Sequence, residues 1–377
     1  VADGTYKADI PMTYDDSVNE GKDWDKGDHF LQLSNREEEM LDLVCKNFDN
    51  VIVVYNGANP FELGFINDYK QIKGAYWCAG AGQSGFDGFG RIVSGEVNPS
   101  GRLVDTFVYD LTKAPTWNNM GEFEYTNMSD FKVDATSFSP ETQPTFVNYV
   151  EGIYVGYRWF DSFGKEPAYP FGYGKSYTSF SIETMGVSIQ NGKIIVKIRV
   201  TNTGKTDSGR EVVQVYTSAP EGRLEKPYQE LVAYAKTKIL KPEQSEELTV
   251  SFPVSRLASY DEKQAAWIWE SGNYKIRVGE HSRSTKVACV IHVETESICQ
   301  KLTNILPLDC EMEWIHADRK QYYSYPEEKA EIEKAPVIRL EKIQMEAKPD
   351  ESKKQQMNRL KEEMPQEKAH LAKDSKP

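Results

Sequence analysis

The sequence is poor in the patterns that most directly name a chemistry. Its five cysteines (Cys45, Cys78, Cys289, Cys299 and Cys310) are odd in number and nowhere spaced as CxxC, which fits neither a disulfide framework nor a zinc site. Buried, reduced thiols are the expectation, and they lean weakly toward a cytoplasmic location. Five histidines lie scattered, so sequence neighbours form no ligand cluster, and neither metal nor cofactor is expected. No apolar run approaches the roughly 18 residues of a membrane span, so no membrane partner is expected. Basic side chains are outnumbered 45 to 58, a net charge of −13, which argues against a nucleic-acid backbone as partner.

What is present is enough to fold. Hydrophobic residues make up 39% and charged residues 27%, which excludes global disorder. At about 150 residues per domain, 377 residues predict two or three domains. The first, residues 1–180, reads as α/β. Ser34 and Glu37 form a capping-box pattern, and Met40, Leu41, Val44 and Phe48 follow at helical spacing. VIVVYNG (51–57) and GAYWCAG (74–80) are apolar runs typical of buried parallel strands, with short helices expected at 60–67 and 87–95. Such alternation describes a partial α/β sandwich domain with a mainly parallel sheet and a long loop at 110–150.

From about Thr184 the period changes to two. Asn191-Gly192 stands between alternating residues as a hairpin turn, and further strands are expected near 211–217, 229–240, 246–252, 273–279 and 286–293. Their count and spacing predict an all-β fibronectin type III-like sandwich over 181–297. Residues 298–377, whose last part is rich in Lys, Glu and Gln, read as a partly disordered linker or tail. A chain that begins at Val1 and fades into such a tail is expected to be a piece of something longer.

Gly80-Ala-Gly-Gln-Ser-Gly85 matches a dinucleotide-binding fingerprint in form. Its strand context is poor, and Asp105 falls in a turn region instead of at an acidic strand end. A tight turn with close backbone packing is the better reading, and a nicotinamide-dependent enzyme is the weaker one.

Longer segments carry more information. WCAGAGQSGFDGFGRIVSGEVNPSGRLVDTF, YVEGIYVGYRWFDSFGKEPAYPFGYGKSYTSF, VTNTGKTDSGREVVQVYTSAP and ESGNYKIRVGEHS occur in this order. Over roughly residues 15–295 the sequence resembles glycoside hydrolase family 3, in its α/β sandwich and fibronectin type III-like portions. The resemblance implies a retaining β-glycosidase, most often acting on β-glucosides, with its active site between a TIM-like barrel and the α/β domain. In NEGKDWDKGDHFLQLSNREEEM it places Glu20 at the acid/base position and Asp23 at the motif's aspartate. Trp24 stands where arginine is usual, and Val18-Asn19 replaces Ser-Gly.

Retention needs two carboxylates about 5–5.5 Å apart, one attacking the anomeric carbon and one protonating the leaving oxygen. The family's nucleophile belongs to the barrel, which this sequence does not contain. Met128-Ser-Asp130-Phe131 matches its motif only superficially and reads better as a turn aspartate. The expectation is therefore a reverse-order member whose barrel lies outside this chain, in cis or in trans. Its substrate would be a β-linked glucoside or oligosaccharide, held by Asp23 and Trp24; Trp117, Phe123 and Tyr125 of the long loop read equally as aromatics that stack on the sugar, Trp117 foremost, or as local packing that anchors the loop. The alternative is a non-catalytic carbohydrate-binding or scaffold protein with the same folds.

Overall fold

The structure, a computed structural model, describes residues 23–25, 27–119, 147, 149–305 and 314–341, with backbone only at 118–119 and in three short strands. Those strands are β1 (Tyr6–Asp9), β4 (Glu122–Tyr125) and β5 (Thr145–Phe146), and they pair antiparallel in the order β1-β4-β5. Within the α/β part, helix α1 (Asn35–Asn47) begins where the sequence predicts. The Ser34 hydroxyl accepts from the Glu37 N–H, and the Glu37 carboxylate accepts from the Ser34 N–H, satisfying two backbone donors that a helix start leaves open.

Strands β2 (Val51–Tyr55) and β3 (Ile72–Trp77) pair in parallel, joined by a 3₁₀ turn at Leu63–Asn67 where a short α-helix is expected. Helix α2 (Gly85–Val93) follows the glycine turn, starting two residues before the predicted position. A six-residue helix, α3 (Tyr157–Ser162), completes this part, and Tyr154, Trp159 and Phe160 are buried around it.

The all-β part is a sandwich. β6 (Phe180–Gln190) and β7 (Lys193–Asn202) form the predicted hairpin, with Asn191 and Gly192 both at positive φ, the conformation that a two-residue type I′ turn demands. Then come β8 (Val212–Ser218), β9 (Glu230–Lys236), β10 (Ser245–Pro253), β11 (Ser259–Asp261) and β12 (Ala266–Trp269). β13 (Gly272–His281), β14 (Ser284–Val293) and β15 (Ser297–Lys301) follow. One sheet runs β10-β7-β6, the second β16-β14-β13-β8-β9, where β16 is Val337–Arg339, and a small third β11-β12-β15. Period-two alternation places Ile194, Val196, Ile198 and Val200 of β7 in the same core as Val213, Val215, Tyr274, Ile276, Cys289 and Ile291.

The second sheet is covered on its outer face as well. On β8, the outward residues Gln214, Tyr216 and Ser218 are as buried as the inward ones. Gln214 donates to the Gly172 carbonyl (3.1 Å) and the Glu280 carbonyl (2.6 Å), and the Tyr157 hydroxyl accepts from the Leu231 N–H at 2.9 Å. Gly172 sits at φ +84°, and a Cβ there would collide with the Gln214 amide, so the turn admits glycine alone. The connector out of the α/β part thus forms a third layer on the sandwich.

The linker expected from residue 298 onward is in part a built element. Residues 297–301 are β15, and residues 314–341 contain α4 (Glu328–Lys334) and β16 (Val337–Arg339), the latter pairing parallel with β14. Their polar, aperiodic sequence hides this because each contact is long-range. Residues 342–377 lie outside the described residues.

Candidate active site

Glu20, the expected acid/base, and Asp130 lie outside the described residues, as do the side chains of Phe123 and Tyr125. Downstream of Glu20, residues 23–25 and 27–34 are described, and they are pinned at several points. Asp23 sits against the start of α1: its carbonyl accepts from the Asn35 N–H at 2.8 Å, and its carboxylate pairs with the Arg36 guanidinium. The Trp24 ring packs on Phe30, with centroids 5.9 Å apart. Asp25 N–H donates to the Asp28 carboxylate at 2.7 Å, closing a turn around Gly27.

At the inner end of this loop His29 is buried. Its Nδ1 accepts from the Leu31 N–H at 3.2 Å, so Nε2 carries the proton and donates to Glu62 at 3.1 Å. Glu62 also accepts from the Leu111 N–H at 2.6 Å, while its own N–H donates to the Leu31 carbonyl. Burial raises the Glu62 carboxyl above the usual range, against the lowering effect of the Leu111 N–H and of His29. Trp117 covers the imidazole at 4.7 Å between centroids and is only 6% exposed. It closes the packing around His29 and presents little ring face to a sugar.

Of the expected site residues, the structure therefore brings Asp23 and Trp24 onto one loop, with Trp117 packed against the far end of that loop. The pair His29 and Glu62, separated by 33 positions, has no sequence signature. Only a buried histidine next to a hydrophobic stretch hints at it, and that pattern is common. The Gly80–Gly85 segment is a tight turn, with Gly82 at φ +62° before α2, but the close backbone packing expected of it is not found: among the described residues, a Cβ at Gly80 or Gly82 would meet nothing within 4 Å. Among the described residues, no group of three His, Cys, Asp or Glu side chains could hold a metal ion, and no helix is long and apolar enough to cross a membrane.

Comparison with known proteins gives this loop its context. Residues 7–177 match the glycosyl hydrolase family 3 C-terminal domain, and residues 211–282 match the fibronectin type III-like domain. The chain is 36% identical to beta-glucosidase A of Butyrivibrio fibrisolvens over 295 residues, which is 72% of this chain and 33% of that protein. It is 33% identical to a beta-glucosidase of Ruminococcus albus over 280 residues, 73% of this chain and 27% of that protein. Among solved structures, a beta-glucosidase from Paenibacillus barengoltzii superposes with a TM-score of 0.65 at 32% identity, covering 75% of this chain and 30% of that one. The chain belongs to glycoside hydrolase family 3.

It spans about a third of the length of these relatives. The segments that carry the family resemblance are joints between its two parts. Asn98 accepts from the Ser176 hydroxyl and the Tyr177 N–H (2.9 Å each) and donates to the Ser208 carbonyl at 3.0 Å. Arg102 forms a buried ion pair with Glu211 at the entry to β8, and Glu211 also accepts from the Val212 N–H at 2.6 Å. These family 3 motifs hold the α/β part on the sandwich.

Proposed function

We propose that this chain is the portion of a retaining β-glycosidase that contributes the acid/base carboxylate, with Glu20 in that role and the nucleophile supplied by a catalytic barrel outside residues 1–377. The observation that supports the reading is the described stretch downstream of Glu20, residues 23–25 and 27–34. It is tied to α1 through Asp23 and to the interior through His29 and Glu62, over a stretch that aligns with family 3. A general acid must return to one geometry in each half-reaction, and the anchors at Asp23 and His29 hold the chain on the downstream side of that position. Terminal β-glucosyl groups are the substrate proposed, since the similar proteins are named beta-glucosidases. Asp23 and Trp24 would flank the sugar, and the barrel would complete the site in the reverse of the usual domain order.

The reading is tested by assaying this chain alone and the barrel-containing protein side by side on an aryl β-glucoside. The expected result is turnover by the barrel-containing protein and none above background by the chain alone. Glu20-dependent turnover by the chain alone would place a nucleophile within residues 1–377 and overturn the division of labour. Absence of turnover in both would favour the non-catalytic carbohydrate-binding alternative.

A further inference from the structure

Residues 314–341 lie beyond the stretches matched by either domain family, yet they are packed along their length. The segment enters beside the α/β part, where Trp314 packs on Gly152 and the Ile315 N–H donates to the Val150 carbonyl at 2.8 Å. Glu225, from the β8–β9 connection, accepts from Tyr154, His316 and the Ala317 N–H. Further on, the Tyr323 N–H donates to the Asp161 carbonyl at 2.7 Å, and the Tyr323 ring lies 4.0 Å from the Arg283 guanidinium. The same arginine donates to the Asp161 carboxylate at 2.5 Å and to the Lys165 carbonyl at 2.7 Å. Three pieces of chain therefore meet at one point: α3, the β13–β14 turn and the segment. Gly164 admits that approach, since a Cβ there would strike the Gln321 carbonyl.

The second anchor lies on the outer face of the five-stranded sheet. Arg277 of β13 points to the outer face of its sheet and is 0% exposed. Its guanidinium donates to Ser218 (2.8 Å), to the Tyr325 hydroxyl (3.3 Å) and to Glu328 of α4. The Tyr228 ring lies 4.9 Å from the same guanidinium, and the Tyr228 and Ser324 hydroxyls donate to Glu328 at 3.3 and 3.0 Å. The counter-charge of this buried cation comes from outside the matched module. Then Leu340 enters the main core after β16 has paired with β14.

We infer that residues 314–341 are a clamp: the segment completes the sandwich by neutralising Arg277 and, through Tyr323, locks α3 of the α/β part to the β13–β14 turn. The matched module is then not an independent folding unit, and the two parts keep one relative orientation without help from a further domain. This stands apart from the role proposed for Glu20.

Hydrogen exchange on the intact chain tests it. Glu328→Leu strands a buried cation, so the amides of β13 and β14 should exchange about a hundredfold faster or more. Arg277→Met with Glu328→Leu removes the buried ionic pair and leaves only Lys275, which lies 3.9 Å from Glu328 and is 29% exposed, so it should recover most of that loss. If Glu328→Leu does not fold, folding of the double variant supports the clamp and its failure overturns it. Tyr323→Ala should speed exchange in α3 by about tenfold, whereas Tyr323→Phe, which keeps the ring and the backbone donor, should not. Unchanged exchange in Glu328→Leu, or in α3 of Tyr323→Ala, would overturn the inference.

Discussion

The two parts of the chain bury apolar surface to very different extents. In the sandwich, β7 holds a row of residues with no accessible surface, the inward residues of β13 are buried beside it, and even the outward residues of β8 are covered. In the α/β part, β2 and β3 pair only with each other among the described residues, and one face of β2 is open, with Ile52 at 48% and Val54 at 37% exposed. Met40, Leu43 and Phe48 on and after α1 and Phe86 and Val93 on α2 are exposed too. Parallel strands are normally buried on both faces, and a two-stranded sheet does not stand alone. The difference teaches that the sandwich, with residues 314–341, is a finished packing unit. Among the described residues, the α/β part leaves apolar faces of β2, α1 and α2 uncovered.

The largest predicted effect probes the joint between the two parts. Arg102→Ala leaves Glu211 buried without its partner; burial already pushes that carboxyl up, against the pull of Arg102. Chemical denaturation should show a loss of about 3–5 kcal/mol. A loss below about 1 kcal/mol would mean that the joint does not hold the parts together. Next, Ile198→Ala in the sandwich core should cost about 2–5 kcal/mol, whereas Ile52→Ala on β2 should cost no more than about 0.5 kcal/mol. Similar losses at the two positions would erase the contrast.

His281, at the end of β13, gives the pH dependence. Burial, and then the positive charges of Arg102, Lys175 and Arg283, lower its pKa from 6.5 to about 4. The folded state therefore holds the neutral imidazole, while the unfolded chain takes up a proton below pH 6.5. Stability is complete above that pH and falls as pH drops toward 4, by about 3 kcal/mol at most. His281→Asn should flatten this part of the curve; an unchanged slope would remove His281 as its source. The smallest effect belongs to Arg199→Ala, whose pairs with Glu183 and Glu247 lie on the exposed sandwich face. No measurable loss of stability in chemical denaturation is expected, because exposed pairs are screened by water and salt.

Local physics was legible in the sequence, and long-range physics was not. The capping box at Ser34, the hairpin turn at Asn191-Gly192 and the alternating burial of β7 each depend on residues a few positions apart, and each appears where it was read. Strands β11, β12 and β16 went unread because they are three or four residues long, too short for a period to show. The ordered segment at 314–341 was read as linker, since Glu328 is an ordinary surface glutamate until Arg277 is placed beside it. At the candidate site, family resemblance named Glu20, Asp23 and Trp24. His29 and Glu62 required the fold, because nothing in either local sequence points to the other.

The most direct test of the account is Glu20→Gln in the barrel-containing protein, with β-glucosides of good and poor leaving groups compared. A general acid matters most when the leaving oxygen needs its proton. The prediction is a fall in kcat/KM of about 10²–10⁴-fold with a poor leaving group and a much smaller fall with an activated one. Full activity on both substrates, or equal losses on both, would contradict Glu20 as the acid/base.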